Sequence, residues 1–542
     1  RNILCIVVLS FVFFFAGNGI VGLSHPDEVF YAQTAKEMLQ RHDWLVPYLF
    51  NGPNFEKPIF SYWLFMIAFS TFGVNSFSAR LFPSLFALVG VLAVYFLGKK
   101  AFQEEKKGLY AALILMSSLL WVGLGRTVFT DMFFTVWIEL SLVSFYWGYL
   151  QPSRKTIGLV LFWLFAALGV LTKGLLGVLI PLEVAVLFLM LRKELRFLVS
   201  PGFGLGFFVF LAVALPWYVY IIEKFGSSFI QEFFYNDHLR RLLEAEHKGN
   251  DRWFFYPLSI VGLSAPWGLF AVMGILTAFQ KIRQNIQPFY LFLMVWMVVV
   301  FCVFQSAHSK LVSYIFPLFP ALALLCSEYV FQTVFKRNQR WMFLISALII
   351  PVAGIIAAVL AMTVYAHLIP PQMSLKPALC FFLALTIGIC ALLVKTDGVL
   401  TRLAVVIFQV PVLLTFAFLN HTAFERYVSG KEAAEDLMRI DHSHTPVLCS
   451  KLYLRSTRFF TDREVVFLNV NGGGRFFSPH PVKEVRSAKD VLAVLREYPV
   501  IHGICSKKDV KALEQIAEKA FTVKVLAVVA DENVVELKLS EA

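Results

Sequence analysis

Two acidic residues, Asp27 and Asp131, interrupt long apolar stretches of the sequence. Asp27 stands beside Glu28 in SHPDEVFYA, directly after the first apolar run, and Asp131 lies just inside the fourth run in GRTVFTDMFF. Ionisable residues at membrane depth are costly and tend to serve function. A carboxylate there can act as a general base or orient a polar substrate. We therefore predict a functional role for both acids.

Each acid also has a structural explanation. HPDE precedes the amphipathic stretch VFYAQTAKEML, which makes Asp27 a reasonable helix cap. Asp131 could form an ion pair with Arg126, five residues earlier on the chain. Function is the better interpretation of Asp131, because a span has little other reason to keep such a pair at its outer end.

Basic residues are expected on the same side of the membrane as the two acids. They are Lys57 in NFEKPIFSYW, Lys310 in SAHSKLVSYIFP, and Arg240, Arg241, Lys248 and Arg252 in one long loop. Each of them alone is most simply a solvated loop residue. Together they predict a cationic surface at the outer interface, suited to a phosphate at the depth of lipid headgroups.

The elements that must position these residues are membrane-spanning helices. The chain has 542 residues, of which 58% are hydrophobic and 15% charged, and its mean hydropathy is +0.70. A soluble chain carries about a quarter charged residues. The net charge of +12 arises mainly in short loops between apolar runs, which argues against nucleic acid as a partner. The thirteen predicted spans lie near residues 3–23, 79–98, 109–125, 130–150, 157–172, 174–191, 203–222, 255–278, 288–305, 311–333, 341–365, 377–395 and 401–420.

Charge then predicts which loops lie inside the cell. If residues 59–72 form a helix along the outer interface and do not span, one set of loops collects the basic residues and is cytoplasmic. The first apolar run is expected to be a retained span and not a signal peptide, since it lacks a clear cleavage site. The N-terminus is then inside, and two large loops, 24–78 and 223–254, lie outside. The basic residues of the cytoplasmic set are Lys99, Lys100, Lys106, Lys107, Arg154, Lys155, Arg192, Lys193, Arg196, Lys281, Arg283, Lys336, Arg337, Arg340, Lys395 and Arg402.

Two domains are predicted: a membrane domain over residues 1–420 and a small external α/β domain over 421–542. Strand-like runs such as PVLCSK and EVVFLNV alternate in the second domain with helix-like runs such as SAKDVLAVLREY. NGGG, which begins at Asn471, is interpreted as a turn, because no nucleotide-binding motif follows it. Cys449 and Cys505 could form a disulfide outside the cell, but two packed thiols are the expected arrangement.

Several motifs together resemble the GT-C superfamily of polyprenyl-phosphate-dependent glycosyltransferases. The resemblance covers the whole chain in order and is greatest for the branch that transfers 4-amino-4-deoxy-L-arabinose from undecaprenyl phosphate to lipid A. Bacterial protein mannosyltransferases share several of the same motifs, so the particular sugar is less well determined. The motifs are DE-x-x-YA, EML-x-x-x-DW-x-VP-x-L, FEKP-x-x-x-YW, GVNSFSARL, R-x-x-x-TDM, LTKG-x-x-G, HKGNDRWFFY and SKLVSYIFPLFPALALL.

The resemblance implies a thirteen-span enzyme and assigns roles to individual residues. Asp27 and Asp131 would line the active site as catalytic acids. The carrier phosphate would be held by Lys57, Arg252 and Tyr314. The residues expected beside the substrate are Glu28, Tyr31, Arg126 and Lys310. Glu56 and His247 match positions associated with a metal such as zinc, although a satisfied loop histidine explains His247 equally well.

The implied reaction is an inverting transfer of the sugar from undecaprenyl phosphate to lipid A at the periplasmic face of the bacterial inner membrane. No nucleotide is needed, since the lipid carries the activated sugar, and the enzyme is expected to be a monomer. Transfer to a protein or to another surface glycan is the first alternative. A lipid flippase or sugar transporter is the second, although its charges would lie near the bilayer midplane. A third treats the C-terminal domain as a sensory module that the spans only anchor.

Overall fold

The structure is a computed structural model, and its described residues divide into two compact units. The first unit comprises residues 1–16, 83–230 and 238–416, and the second comprises 17–82, 231–237 and 417–542. Each unit is built from segments that are distant in sequence. The described residues are 1–244, 248–284, 287–334, 340–364, 374–395, 398–472, 481–517 and 520–540.

Long apolar helices make up most of the first unit. Eight helices among the described residues are long and apolar enough to cross a membrane, and two bent pairs raise that number to ten. The prediction of a polytopic helical membrane protein is thereby confirmed. The eight are Ser76–Ala101, Thr130–Leu150, Pro152–Lys173, Pro201–Phe225, Pro288–Gln305, Trp341–Thr363, Lys376–Leu393 and Leu400–Leu419, and the bent pairs are Glu105–Met116 with Leu119–Gly125 and Phe255–Leu263 with Gly268–Arg283.

Shorter helices account for the other three of the thirteen predicted runs. They are Asn2–Ser10, continued as a π-helix over Phe11–Phe15, then Leu176–Arg192, and Phe319–Val334. A helix of 16 residues is about 24 Å long, less than the ~30 Å of a hydrocarbon core. Within the described residues, length and composition alone support eight to ten of the thirteen predicted spans.

The bent pairs break where the backbone loses regular helical hydrogen bonds. At the first break, the hydroxyl groups of Ser117 and Ser118 donate to the carbonyl oxygens of Leu113 and Ile114, at 2.6 and 2.8 Å. At the second break, Pro266 has no N–H to donate. The pairs bend there by 65° and 111°.

The predicted interfacial segment forms the helix Phe60–Phe72 in the second unit. Its thirteen residues extend about 20 Å, which is too short to cross a hydrocarbon core. The helix that precedes it in the chain is Asp27–Gln40, named here the Asp27 helix. A pair of two-residue antiparallel strands, β1 Tyr48–Leu49 and β2 Gly52–Pro53, lies between these two helices in the chain.

The C-terminal part of the second unit is an α/β fold, as predicted. Its six-stranded sheet has the order β5-β4-β3-β6-β8-β7, with β3 to β6 parallel and β7 and β8 antiparallel to their neighbours. The strands are β3 Val447–Ser450, β4 Val465–Leu468, β5 Glu484–Val485, β6 Val500–Ser506, β7 Phe521–Val529 and β8 Glu532–Leu539. The helices are His421–Val428, Lys431–Ile440, Leu454–Thr461, Ala488–Glu497 and Lys507–Ala517.

Cys449 on β3 and Cys505 on β6 are both free thiols and fully buried. Burial raises the pKa of Cys449 to about 12 and raises that of Cys505 well above its usual value. Of the two arrangements weighed from the sequence, the structure has the packed thiols. They contribute to the apolar interior of the sheet as small hydrophobic groups.

A buried ion pair organises the segment that leads into the Asp27 helix. Arg80 makes a two-point contact with the Glu28 carboxylate, at 2.8 Å from Nε and 2.6 Å from Nη2. The same guanidinium donates to the carbonyl oxygens of Asn18, Val21 and Gly22 at 2.8–3.0 Å. Both side chains are more than nine-tenths buried, so the loop is held around one fully paired charge.

The C-terminal fold also contacts the start of this helix through His25. Its Nδ1 lies 3.8 Å from a carboxyl oxygen of Glu532, and its ring packs edge-on against Tyr453 at 5.4 Å. Burial lowers the pKa of His25 to about 4 and raises that of Glu532 to about 8. Near neutral pH the contact therefore joins a neutral imidazole to a protonated carboxyl group.

These pKa shifts predict that the second unit loses stability as pH rises from about 6.5 to 8. Above pH 6.5 His25 is neutral in the folded and the unfolded chain, whereas Glu532 holds its proton more tightly when folded. We expect Glu532→Gln to remove this dependence and to stabilise the unit by more than about 1 kcal/mol at pH 8. Hydrogen exchange of the β6 and β8 amides between pH 6.5 and 8, corrected for the intrinsic exchange rate, measures this change in stability. Equal pH dependence in both proteins would contradict the prediction.

Candidate active site

Asp131 lies in a buried ion pair in the first unit. It occupies the first turn of the helix Thr130–Leu150, where a carboxylate is favoured by the helix dipole. Lys173, the last residue of the helix Lys155–Lys173, donates to Asp131 at 2.7 Å. The side chains are only 8% and 14% exposed, so this end of the two helices holds one closely matched pair of charges.

Tyr314 joins this pair through the lysine. The Lys173 ammonium lies 4.9 Å from the centre of the Tyr314 ring, and 5.5 Å from that of Phe134. Tyr256 is within electrostatic range of both Asp131 and Tyr314, and its hydroxyl donates to the carbonyl of Leu311. Two residues predicted from the sequence, Asp131 and Tyr314, are thus brought together around a cation that was not predicted.

A second charged group in the same unit contains the predicted residue Lys310. Lys310 is only 4% exposed, and its ammonium lies 2.6 Å from one carboxylate oxygen of Asp251. The other oxygen of Asp251 lies 2.8 Å from Nδ1 of His308. Hydrogen bonds from Lys310 and His308 lower the pKa of Asp251. Asn250 donates to the Lys310 carbonyl at 3.1 Å, which ties the two chain segments together.

Arg252, the neighbour of Asp251, has an exposed side chain. Its guanidinium carbon lies 5.8 Å from the ring centre of Phe254. Its backbone N–H donates to the carbonyl oxygen of Asn250. An exposed guanidinium beside a paired lysine and aspartate is accessible to an anion from outside. Its predicted role in holding a phosphate remains a prediction.

Arg126 contacts the end of the first helix of the chain. It donates to the carbonyl oxygens of Phe13 and Ala16 at 3.1 and 2.6 Å, where the helical hydrogen bonds of that segment end. A cation is favourable at the carboxyl end of a helix. These contacts stabilise the helix end, and they neither test nor exclude the predicted contact with substrate.

In the second unit, Asp27 and Glu28 begin the Asp27 helix but differ in their surroundings. The helix starts at Asp27 after Pro26, with no side-chain cap. Asp27 is exposed, whereas Glu28 is 1% exposed and binds Arg80 and the backbone N–H of Ser24. Glu28 therefore fixes the helix start, and Asp27 is the acid presented to solvent.

Lys57, Glu56 and Tyr31 belong to the same unit. Lys57 is buried, and its ammonium donates to the carbonyl oxygen of Glu56 at 2.8 Å. Glu56 and Tyr31 are, with Asp27, among the groups that interact electrostatically with Arg455 of the C-terminal fold. The structure thus brings Asp27, Tyr31 and Glu56 to one neighbourhood, and Lys57 follows directly in the chain.

No group of three or more His, Cys, Asp or Glu side chains in the described part of the chain could hold a metal ion. Glu56, one of the two predicted ligands, has no such group around it there. His247, the other one, lies outside the described residues. The described residues therefore give no support to the expected zinc site, and no step below involves a metal.

Four charged residues of these groups were not predicted as site residues: Lys173, Asp251, Arg80 and Arg455. Three of them stand in the quoted motifs LTKG-x-x-G, HKGNDRWFFY and GVNSFSARL. Lys173 also carries a signal of its own, since it follows a predicted span at the end opposite to the basic loops. Arg455 lies in the C-terminal fold, where the sequence gives no motif.

Relatives with known names match most of this architecture. Residues 3–227 match the family described as dolichyl-phosphate-mannose-protein mannosyltransferase. The undecaprenyl phosphate-alpha-4-amino-4-deoxy-L-arabinose arabinosyl transferase 1 of Pseudomonas fluorescens is 32% identical over 59% of this chain and 58% of its own. A transferase of the same description from Pseudomonas aeruginosa is 29% identical over 68% of this chain and 66% of its own.

The chain is thus similar in sequence to the mannosyltransferase family and to these arabinosyl transferases. The crystal structure of ArnT from Cupriavidus metallidurans bound to undecaprenyl phosphate has the same fold, with a TM-score of 0.81 at 21% identity over 98% of this chain and 97% of that one. The sequence matches span about six tenths of the length of the curated relatives. These similarities agree with the resemblance to GT-C glycosyltransferases that the motifs predicted.

The buried pair of Lys173 and Asp131 predicts a large cost for removing one partner. We expect Lys173→Met to lower the free energy of unfolding by about 3–5 kcal/mol, because Asp131 is left as a buried charge without its lysine. The double variant Asp131→Asn/Lys173→Met should recover a large part of that loss. Thermal and denaturant unfolding of the detergent-solubilised protein measures both.

The matched control is Arg240→Met, which breaks a pair with Glu244 whose side chains are 40% and 62% exposed. It should cost less than about 1 kcal/mol. If Lys173→Met is no more destabilising than Arg240→Met, Asp131 does not depend on the lysine.

Proposed function

We propose that this protein is an inverting glycosyltransferase that moves a sugar from undecaprenyl phosphate to an acceptor on the periplasmic face of the bacterial inner membrane. The proposed sugar is 4-amino-4-deoxy-L-arabinose, and the proposed acceptor is lipid A. The observation that carries the proposal is the sequence similarity to transferases whose names state that donor and sugar, at 29–32% identity. The charged groups described above are the proposed source of the chemistry that such a reaction needs.

The reaction must break the bond between an anomeric carbon and a phosphate oxygen. Negative charge grows on the departing phosphate, so a cation near it lowers the barrier. Lys57 and Arg252 are the proposed cations, and Tyr314 the proposed hydrogen-bond donor. A buried ammonium such as Lys57 is more effective in this role than one in water, since the surroundings screen its charge less.

The acceptor oxygen attacks the anomeric carbon from the side opposite to the phosphate, which inverts the configuration. If the acceptor is a hydroxyl group, Asp27 is the proposed general base, because it is the exposed acid at the helix start. If the acceptor is a phosphate of lipid A, no base is needed. Asp27 and Asp131 would then orient the sugar or pair with its amine.

Removing the proposed acid or cation should abolish transfer. We expect Lys57→Ala to lower the transfer rate at least about 100-fold, which is the effect of losing one charge-stabilising donor in other enzymes. We expect Asp27→Asn to lower the rate by about 10²–10⁴ if Asp27 is the base. Transfer of radiolabelled sugar from undecaprenyl phosphate to lipid A in vesicles measures both.

Arg41→Met is the control for these variants. Arg41 follows the Asp27 helix, is exposed, and donates to Asn51. This variant should transfer at the wild-type rate. Full activity in both Lys57→Ala and Asp27→Asn, with normal membrane insertion, would remove the assignment.

The match to the mannosyltransferase family favours one second candidate, transfer to a protein hydroxyl group. Mass spectrometry separates the two functions when lipid A and membrane proteins are compared with and without expression of the enzyme. We expect a mass increase of one aminopentose on lipid A. A hexose on proteins, with unchanged lipid A, would replace the proposed acceptor and sugar.

A further inference from the structure

The helix Leu454–Thr461 of the C-terminal fold, named here the Arg455 helix, lies alongside the Asp27 helix within the second unit. Arg458 meets Glu37 at 3.5 Å, and Lys36 donates to the carbonyl of Phe459 at 2.8 Å. Asp462, which follows the helix, pairs with Lys36 at 2.7 Å. Arg455 lies over the ring of Phe30, and Asp462 accepts from Gln40 at 3.2 Å, so the two helices run in the same direction.

This register places the start of the Arg455 helix beside the start of the Asp27 helix. The guanidinium of Arg455 lies 4.6 Å from the centre of the Phe30 ring, within the range of a cation–π contact. The groups that act on its charge are, in decreasing order, Glu56, Asp27, Tyr31 and Tyr62. A cation of the C-terminal fold is therefore part of the surroundings of Asp27.

Arg455 is held in a desolvated position. Burial lowers its pKa below the usual value for arginine, while the nearby carboxylates raise it. Desolvating a cation is expensive unless negative charge compensates it. The two carboxylates, Glu56 and Asp27, supply that compensation, and in return Arg455 reduces the negative charge next to Lys57.

We propose that Arg455 is a charge-balancing residue of the transfer site: it offsets the carboxylates of Glu56 and Asp27, so that Lys57 can hold the phosphate of an undecaprenyl carrier. This inference rests on the proposed function, and it gives the C-terminal fold a part in binding the donor. Arg455 is a positioning residue, because it acts on the phosphate through the charges of its neighbours.

The physical reason is the sign of the local charge. Glu56 and Asp27 place negative charge near Lys57 that repels an incoming phosphate, and Arg455 offsets part of it. At separations of a few ångströms in partly buried surroundings, one unit of charge changes binding by about tenfold or more. Lys57 and Arg455 thus bring positive charge to this part of the second unit from the two ends of the sequence.

The test uses the full-length protein in nanodiscs and undecaprenyl phosphate as the ligand. We expect Arg455→Met to raise the Kd by about tenfold or more, and Arg455→Lys, which keeps the charge, to stay near the wild type. Glu56→Gln combined with Arg455→Met should bring the Kd back toward the wild-type value, because one negative charge is removed together with the positive one.

Arg458→Met is the matched control, since Arg458 lies one turn further along the same helix and pairs with Glu37. It should leave the Kd unchanged, although it loosens the same helix contact. Equal weakening by Arg458→Met and Arg455→Met would mean that Arg455 only holds the helices together and would overturn the proposal. An unchanged Kd in Arg455→Met would also overturn the proposal. The same holds if Glu56→Gln combined with Arg455→Met does not lower the Kd below that of Arg455→Met alone.

Transfer assays separate this proposal from the function on which it rests. The KM for the lipid-linked sugar should rise in Arg455→Met, while the KM for the acceptor stays constant, and a change in the acceptor value alone would overturn the proposal. A wild-type protein that binds undecaprenyl phosphate but transfers no sugar would contradict the proposed function. The Kd series would then still decide the role of Arg455.

Discussion

Pairing of buried charge is the constraint on which this structure depends. An ion taken out of water costs several kcal/mol unless an opposite charge and further hydrogen bonds compensate it. Arg80 with Glu28 and Lys173 with Asp131 satisfy this condition at 2.6–2.7 Å. Each pair joins segments that are distant in sequence, so the requirement for charge balance also fixes which helix ends meet.

The same constraint gives two adjacent acids, Asp27 and Glu28, different surroundings. Asp27 and Glu28 are adjacent, yet Glu28 is occupied by Arg80 and the N–H of Ser24 while Asp27 stays exposed. The difference follows from helix geometry, since neighbouring residues point about 100° apart. One acid secures the loop, and the other remains accessible for chemistry.

Much of the fold could be predicted from the sequence, because apolar runs and alternating strand and helix patterns are local signals. The membrane helices and the C-terminal α/β fold followed from them. Span lengths were less well predicted. The run near 109–125 breaks at Ser118, whose hydroxyl group donates to the Ile114 carbonyl in place of its N–H, and composition does not reveal such a break. The choice between a disulfide and two free thiols at Cys449 and Cys505 could not be made without the register of β3 and β6.

The site was predicted only where a motif marked it. Asp131 and Tyr314 stand in motifs, and the structure places both beside Lys173. The partners Lys173, Asp251 and Arg455 could not be chosen, because a partner is defined by distance in space. Arg455 and Phe30 are separated by more than four hundred residues of sequence, and no local pattern connects them.

The composition of the second unit has a consequence for biosynthesis. Residues 17–82 leave the ribosome early, whereas the strands and helices that complete their unit are translated last. Contacts of such long sequence separation form slowly, since a large loop must close before they are made. The early segment must therefore wait, incompletely packed, until nearly the whole chain has been inserted, and truncation near the C-terminus would leave it without its packing partners.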